Sequence, residues 1–215
     1  MGNARQRHRR AQLDACPRGV VTATFPPRVR LFLALSLPDV LQAHVARATA
    51  PLREAAPQVR WTEPAKLHIT VRFFGEQPDA FVERAVAALA PAAQQTPALD
   101  IALQGLGAFP TWARAGVVWL GVVYQPVLEL LHHDLEVACM SLGLDVEGRP
   151  FRPHVSLARL GLPGRDAARA VRLAARGLRV RGSFPCASVD LMQSTPSAAG
   201  SRYTRLAAIP LGSPR

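Results

Sequence analysis

The sequence predicts an α+β fold with antiparallel sheets, and three observations carry that expectation. Helical and strand-like segments interleave in the order β-α-β-β-α-β-β-α-β-α-β-β-β. Several strand signals come in adjacent pairs, which favours antiparallel pairing over a regular βαβ alternation. One short motif occurs twice, each time after a strand and a helix, which predicts two related lobes facing one another.

Residues 1–27 hold Arg5, Arg7, Arg9, Arg10 and Arg18 against one acid, Asp14, and end in Pro26-Pro27. The stretch after Arg10 is broken by Asp14, Pro17 and Arg18, so it lacks the apolar segment of a secretory signal. It reads as a basic disordered arm or an upstream extension, with a folded domain expected over 28–212. Arg30 to Leu37 (RLFLALSL) is a buried strand by its unbroken apolar run. Pro38-Asp39 opens a helix to about Glu54, because proline suits the first turn. A short strand at Val59–Trp61, a turn at Pro64 and a strand from Leu67 to Phe74 follow. Pro78 to Ala93 is helical, and Leu99–Leu106 and Gly116–Val123 are strands. Gln125-Pro126 opens a helix to about Leu142, Pro153–Leu160 is a strand, and an Arg/Ala-rich helix covers Arg165–Arg176. Leu178–Phe184, Ala187–Gln193 and Tyr203–Ile209 close the chain as strands, with a mobile loop expected at Pro196–Gly200.

Composition bounds the function. The 215 residues carry 26 Lys+Arg against 15 Asp+Glu, a formal charge of +11. Lys66 is the only lysine, a bias expected from a GC-rich genome. The positive excess implies affinity for phosphate-rich partners. A hydrophobic fraction of 49% with 19% charged residues excludes wholesale disorder. No apolar run reaches the roughly 18 residues of a membrane span. Cys16, Cys139 and Cys186 form no CxxC or zinc pattern, so a reduced, cytoplasmic protein is expected, with Cys139 in the core. A monomer is the default expectation.

The chemistry lies in the repeated motif. Lys66-Leu67-His68-Ile69-Thr70-Val71 and Arg152-Pro153-His154-Val155-Ser156-Leu157 both read cation-x-His-x-hydroxyl, with apolar residues after each His and each hydroxyl residue. Side chains alternate across a strand. Lys66, His68 and Thr70 should therefore share one face, and Arg152, His154 and Ser156 another. Pro153 cannot donate a ladder bond, which places it at a strand's start or edge. Two such faces across a cleft offer two imidazoles, two hydroxyls and up to two cations. That set suits metal-free phosphodiester chemistry: a neutral imidazole removes a proton from water and a protonated one donates to the departing oxygen. The hydroxyls can bond the non-bridging oxygens where charge builds. No carboxylate stands at ligand spacing from either His, so no metal and no cofactor are expected.

The tetrads His68-Ile69-Thr70-Val71 and His154-Val155-Ser156-Leu157 resemble the paired HxTx motifs of the 2H phosphoesterase superfamily, and most closely its RNA 2′,3′-cyclic phosphodiesterase branch, also called 2′-5′ RNA ligases. Arg30–Leu35, Leu67 through Glu76, Gly105–Pro110, Arg149–Pro153 and Leu191–Ser194 agree with it, so that the resemblance covers about residues 28–212. Ser156 departs from the usual threonine but keeps the hydroxyl. The resemblance implies a bilobal fold of two antiparallel-sheet lobes with pseudo-twofold symmetry, helices outside and the site in the groove between. It implies hydrolysis of RNA 2′,3′-cyclic phosphate ends, or small cyclic nucleotides, to 2′-phosphates. His68 is then the proton donor, His154 the acceptor, and Thr70 and Ser156 the phosphate contacts. The motifs alone do not distinguish donor from acceptor.

Arg152 and Lys66 are added as phosphate contacts. Phe151 reads as core rather than a stacking surface, Tyr203 as a candidate groove residue, and Trp61, Trp112 and Trp119 as core or lobe-interface residues. The Arg165, Arg169, Arg172, Arg176 series has helical spacing and suits a solvated face better than an RNA track. His132-His133 point about 100° apart on a helix and make a poor metal pair. No GxxxxGK(S/T) loop is present, so ATP-driven joining is not expected. Two rivals remain at this level: a 2′-5′ RNA ligase or 2′-5′ phosphodiesterase using the same groove, and a module that binds RNA ends without turnover.

Overall fold

In the computed structural model, residues 28–161, 165–198 and 200–213 are described; the basic arm and Cys16 lie outside them. The strands are β1 (Arg28–Ser36), β2 (Arg60–Trp61), β3 (His68–Pro78), β4 (Leu99–Phe109), β5 (Val117–Val122), β6 (His154–Arg159), β7 (Arg181–Cys186), β8 (Ser188–Ser197) and β9 (Gly200–Pro210). The helices are α1 (Asp39–Ala48), α2 (Ala50–Ala55), α3 (Phe81–Gln95), α4 (Pro126–Met140) and α5 (Arg165–Ala174). The fold is α+β, with the strands in one antiparallel sheet ordered β7-β4-β5-β6-β3-β1-β8-β9 and β2 added to β6.

The order is mirrored about its centre. β3, β1, β8 and β9 make one lobe; β6, β5, β4 and β7 make the other in the corresponding sequence. β3 and β6 meet at the pair Ile69↔Val155, and both residues are fully buried. The chain visits the first lobe, builds the second, and returns to the first with β8 and β9.

Local sequence explains the elements. β1 is buried at Leu31, Phe32, Leu33, Ala34 and Leu35, both faces covered, as its unbroken apolar run requires. α3 turns Phe81, Ala85, Leu89 and Ala93 inward at four-residue spacing, and α4 turns Leu128, Leu131, Leu135 and Cys139 inward at spacings of three and four. α3 packs on α4 and α2 on α5.

Two expectations need correction. The helix from Pro38 is broken at Thr49, because Pro51 has no N–H for the Arg47 carbonyl. Thr49 instead donates its hydroxyl to the Val45 carbonyl at 2.8 Å. The segment expected to be a loop after Gln193 is strand: β8 and β9 stay paired from Ser188↔Pro210 to Ser197↔Gly200, where Gly200 takes a positive φ.

A buried charge pair ties the lobes from behind. Arg72 of β3 meets Glu136 of α4, each 4% exposed. Arg72 donates to the Asp145 carbonyl, and the Glu136 oxygen that meets Arg72, Oε2, also accepts the Glu147 N–H at 2.9 Å. His132 stands 3.9 Å from Glu136 and stacks on Phe151 with centroids 4.0 Å apart, so Phe151 packs beside a helix. The chain approaching β6 is thus held by charges rooted in β3. Removing one member leaves the other charge buried and unpaired. Glu136→Gln is predicted to lower stability by about 3–5 kcal/mol in urea unfolding, while the double change Arg72→Met with Glu136→Leu recovers most of that loss.

Candidate functional site

The groove-facing residues are placed by two matching β-bulges. Along β1–β3 the register steps from Leu33↔Arg72 to Ala34↔Thr70, leaving Val71 without a partner. Along β5–β6 it steps from Val118↔Ala158 to Trp119↔Ser156, leaving Leu157 without one. Each extra residue reverses the alternation. Val71 and Arg72 both turn inward, as do Leu157 and Ala158. Phe73 and Arg159 therefore return to the face that carries the histidines.

Because β3 and β6 run antiparallel through Ile69↔Val155, His68 lies across from Ser156 and Thr70 across from His154. The two histidines are diagonal neighbours, a relation that places such residues about 7–8 Å apart. His154 is close enough for its charge to act on the His68 ring.

Each ring is oriented by a main-chain carbonyl two residues earlier. His68 Nδ1 lies 2.8 Å from the Lys66 carbonyl oxygen, and His154 Nδ1 lies 2.7 Å from that of Arg152. A carbonyl only accepts, so Nδ1 carries the proton in both rings and Nε2 is left for chemistry. His68 Nε2 is 3.1 Å from the Thr70 hydroxyl. Aromatic rings hold both imidazoles: Phe32 and Tyr203 stand 5.1 and 5.3 Å from His68, and Phe109 and Trp119 stand 5.0 and 6.4 Å from His154. The Trp119 indole lies over Gly107, where a Cβ would collide with the ring.

A cavity of about 550 Å³ opens over these strands. Its lining includes His68, Thr70 and Ser156 of the repeated motif. Lys66 lines it too, ion-paired with Glu63 at 2.8 Å. Phe32, Phe73 and Tyr203 supply aromatic surface; Arg30, Arg60 and Arg159 supply further positive charge. His154 is half-buried and outside this lining, on the same face of β6 as Ser156.

Arg152 lies two residues before His154, ahead of β6. Its side chain is exposed and does not line the cavity. β6 begins at His154, so strand alternation does not extend back to residue 152. Its carbonyl oxygen faces His154 Nδ1. Lys66 likewise precedes β3, in a 3-10 turn spanning Pro64–Lys66. Sequence reasoning missed Phe73 and Arg159, hidden by the bulges, although the repeat runs on in both halves to those positions. Arg30 and Arg60 carried no signal apart from their charge.

Burial holds the His68 imidazole below the ordinary histidine range, and the charges of His154 and Arg159 push it the same way, against the raising effect of the Lys66 carbonyl. Burial pushes the Cys139 and Cys186 thiols up to about 11, so both stay protonated at neutral pH. Among the described residues no set of three or more His, Cys, Asp or Glu side chains is grouped to hold a metal, and no helix is long and apolar enough to cross a membrane.

Mirrored lobes meeting at two histidine strands are the architecture of the 2H phosphoesterases, and comparison with known proteins agrees. The family model of the 2′-5′ RNA ligase superfamily matches residues 37–196, and the chain belongs to that superfamily. It is 31% identical over 178 residues to the RNA 2′,3′-cyclic phosphodiesterase of Methanothermobacter thermautotrophicus, covering 82% of this chain and 96% of that one. It is 31% identical over 163 residues to the enzyme of the same name from Aeropyrum pernix, covering 75% and 92%. Among solved structures, E. coli LigT complexed with 3′-AMP superposes with a TM-score of 0.66 at 26% identity, over 86% of this chain and 99% of that one. TT0787 of Thermus thermophilus shares the fold with a TM-score of 0.71 at 24% identity, over 86% and 100%.

The two arginines of β6 and its approach should separate cleanly in an anion-binding measurement. Arg159→Gln is predicted to weaken inorganic phosphate or 2′-AMP binding by about tenfold or more, the loss expected of a charged hydrogen bond. Arg152→Gln keeps the carbonyl and should change affinity less than twofold, about 0.4 kcal/mol.

Proposed function

We propose that the protein hydrolyses RNA 2′,3′-cyclic phosphate ends to 2′-phosphomonoesters by metal-independent acid–base catalysis with two histidines. One observation carries the reading: two imidazoles on neighbouring antiparallel strands, each with Nδ1 tied to a carbonyl, so that Nε2 is the nitrogen left to meet a phosphate, beside the Thr70 hydroxyl in the case of His68. The names borne by the relatives support the same substrate class.

The steps follow from that placement. The cyclic phosphate sits between the imidazoles, its non-bridging oxygens bonded by Thr70 and Ser156 and its charge balanced by Arg159 and Lys66. His154 Nε2 takes a proton from water as the water oxygen attacks phosphorus. The P–O3′ bond breaks, and His68 Nε2–H protonates the leaving O3′. A 2′-phosphate and a free 3′-hydroxyl result; a proton returned from His154 to His68 through solvent resets the pair. Phe73 and Tyr203 offer faces on which the terminal base can stack.

His68 begins with a lowered proton affinity, so a free enzyme near neutral pH holds this ring mostly neutral. An anionic phosphate placed against it raises that affinity. Substrate binding thus prepares the donor, and the same field keeps the ring from holding a proton without substrate.

His68→Ala and His154→Ala are each predicted to lower turnover of a 2′,3′-cyclic nucleotide by a factor of about 10²–10⁴ while binding persists. Chelation with EDTA should leave the wild-type rate unchanged. Equal losses in binding and turnover would instead favour a module that recognises RNA ends. A second check uses pH. Arg159 lowers the proton affinity of His68, so Arg159→Gln should raise it. The titration of the His68 ring in the free protein, followed by its ¹⁵N signals, then moves to higher pH. A ring titration that stays put or moves to lower pH contradicts this electrostatic coupling. The superfamily name points to a second reaction in the same groove, in which an RNA 5′-hydroxyl replaces water as the attacking group and O3′ again leaves, and end-group analysis with and without an acceptor RNA separates joining from hydrolysis.

A further inference from the structure

A second basic hollow lies on the other lobe, outside the groove. It has a volume of about 430 Å³, and its walls include Trp112, Leu106, Arg172, Arg176 and Arg179. Arg172 sits in the last turn of α5 and Arg176 in the turn that follows, four positions on and so on one side of the helix. Gly177 then takes a φ of 77°, a conformation that favours glycine, and the chain doubles back to bring Arg179 to the same hollow. α5 is anchored beneath by buried Ala167, Ala168 and Val171, and it packs on the turn that carries Trp112.

The three arginines make no ion pair among the described residues, and no carboxylate residue lines the hollow. Like charges gathered around one concavity repel, and an anion relieves that repulsion. Half-buried Trp112 supplies an aromatic face beside them, the combination that holds single-stranded nucleic acid through phosphate and base together.

The hollow is coupled to the groove by a short connection. The chain from Trp112 reaches Val117, which pairs with the groove residue Arg159, over at most about 18 Å. The Gly116 carbonyl accepts the Leu160 N–H at 2.9 Å, which fixes that connection to the end of β6.

We propose that this hollow binds the single-stranded RNA a few nucleotides upstream of the reactive end, with Arg172, Arg176 and Arg179 on backbone phosphates and Trp112 against a base. The site depends on the proposed function for its substrate but not for its affinity, and the two separate experimentally. It makes the protein prefer oligonucleotides over mononucleotides, and it supplies a salt-sensitive share of binding.

The test compares wild type with the double variant Arg172→Ala/Arg176→Ala, both residues being exposed and unpaired among the described residues. Two substrates are used: a 2′,3′-cyclic mononucleotide and a hexaribonucleotide with a 2′,3′-cyclic phosphate end. The ratio of kcat/KM for the hexamer to that for the mononucleotide should fall on the order of tenfold in the variant. Binding of a fluorescent hexamer, followed by anisotropy against salt, should lose about 0.7 in the slope of log affinity for each phosphate contact removed. Trp112→Leu should weaken hexamer binding with the salt slope unchanged. An unchanged ratio overturns the proposal, whether both substrates are hydrolysed as well as before or both lose equally. So does an unchanged salt slope. If wild type hydrolyses neither substrate while hexamer binding still depends on Arg172 and Arg176, the proposed reaction fails and the hollow stands.

Discussion

A single pair of buried residues, Ile69 and Val155, holds the design together. They are where the two lobes meet, and each lies between a histidine and a hydroxyl residue on its own strand. Burying both apolar side chains obliges His68, Thr70, His154 and Ser156 to face the other way, toward the groove. A slip of one residue in either strand would send its polar pair into the core and its apolar residues to solvent. The cost of such a slip pins the register, and the register sets the spacing of the imidazoles. The bulges at Val71 and Leu157 then carry Phe73 and Arg159 back to the same face. The symmetry of the site follows from using one strand design twice. Its asymmetry follows from what the two copies hold at the matching positions: an aromatic ring on one strand and a guanidinium on the other.

Electrostatics completes the arrangement. The groove gathers Arg30, Arg60, Lys66 and Arg159 against the one acid Glu63, so its field attracts phosphate before any specific bond forms. Of these charges, that of Arg159 also works against protonation of His68, alongside the ring's burial. The two effects serve one end under the proposed mechanism, since the anion that the cations attract is also what makes His68 able to hold the proton it must donate.

Much of this was legible in the residues, and the failures have physical causes. The His-x-hydroxyl repeats were readable because alternation holds over the three residues of each. It fails just before them, where Lys66 lies in a turn and Arg152 in the approach to β6, so strand parity does not extend to either side chain. It fails again just after them, where an extra residue reverses the parity and conceals Arg159. The order of strands and helices came through along the chain, but the break at Thr49 was overlooked although Pro51 announces it. The β8–β9 hairpin was hidden by Pro196, Ser197 and Gly200, residues whose composition suggests a loop. The pairing of Arg72 with Glu136 joins distant positions, and no local pattern encodes it.

The central claim is that both imidazoles present Nε2 to one phosphorus centre. Long-range ¹H–¹⁵N correlation spectra of the histidine rings during a titration with 2′-AMP address it directly. The account predicts that in the free protein Nδ1 is protonated in His68 and His154, and that the Nε2 signals of both rings move together with a single dissociation constant. A titration in which only one ring responds, or a free protein in which a neutral ring of either carries its proton on Nε2 rather than Nδ1, would contradict it.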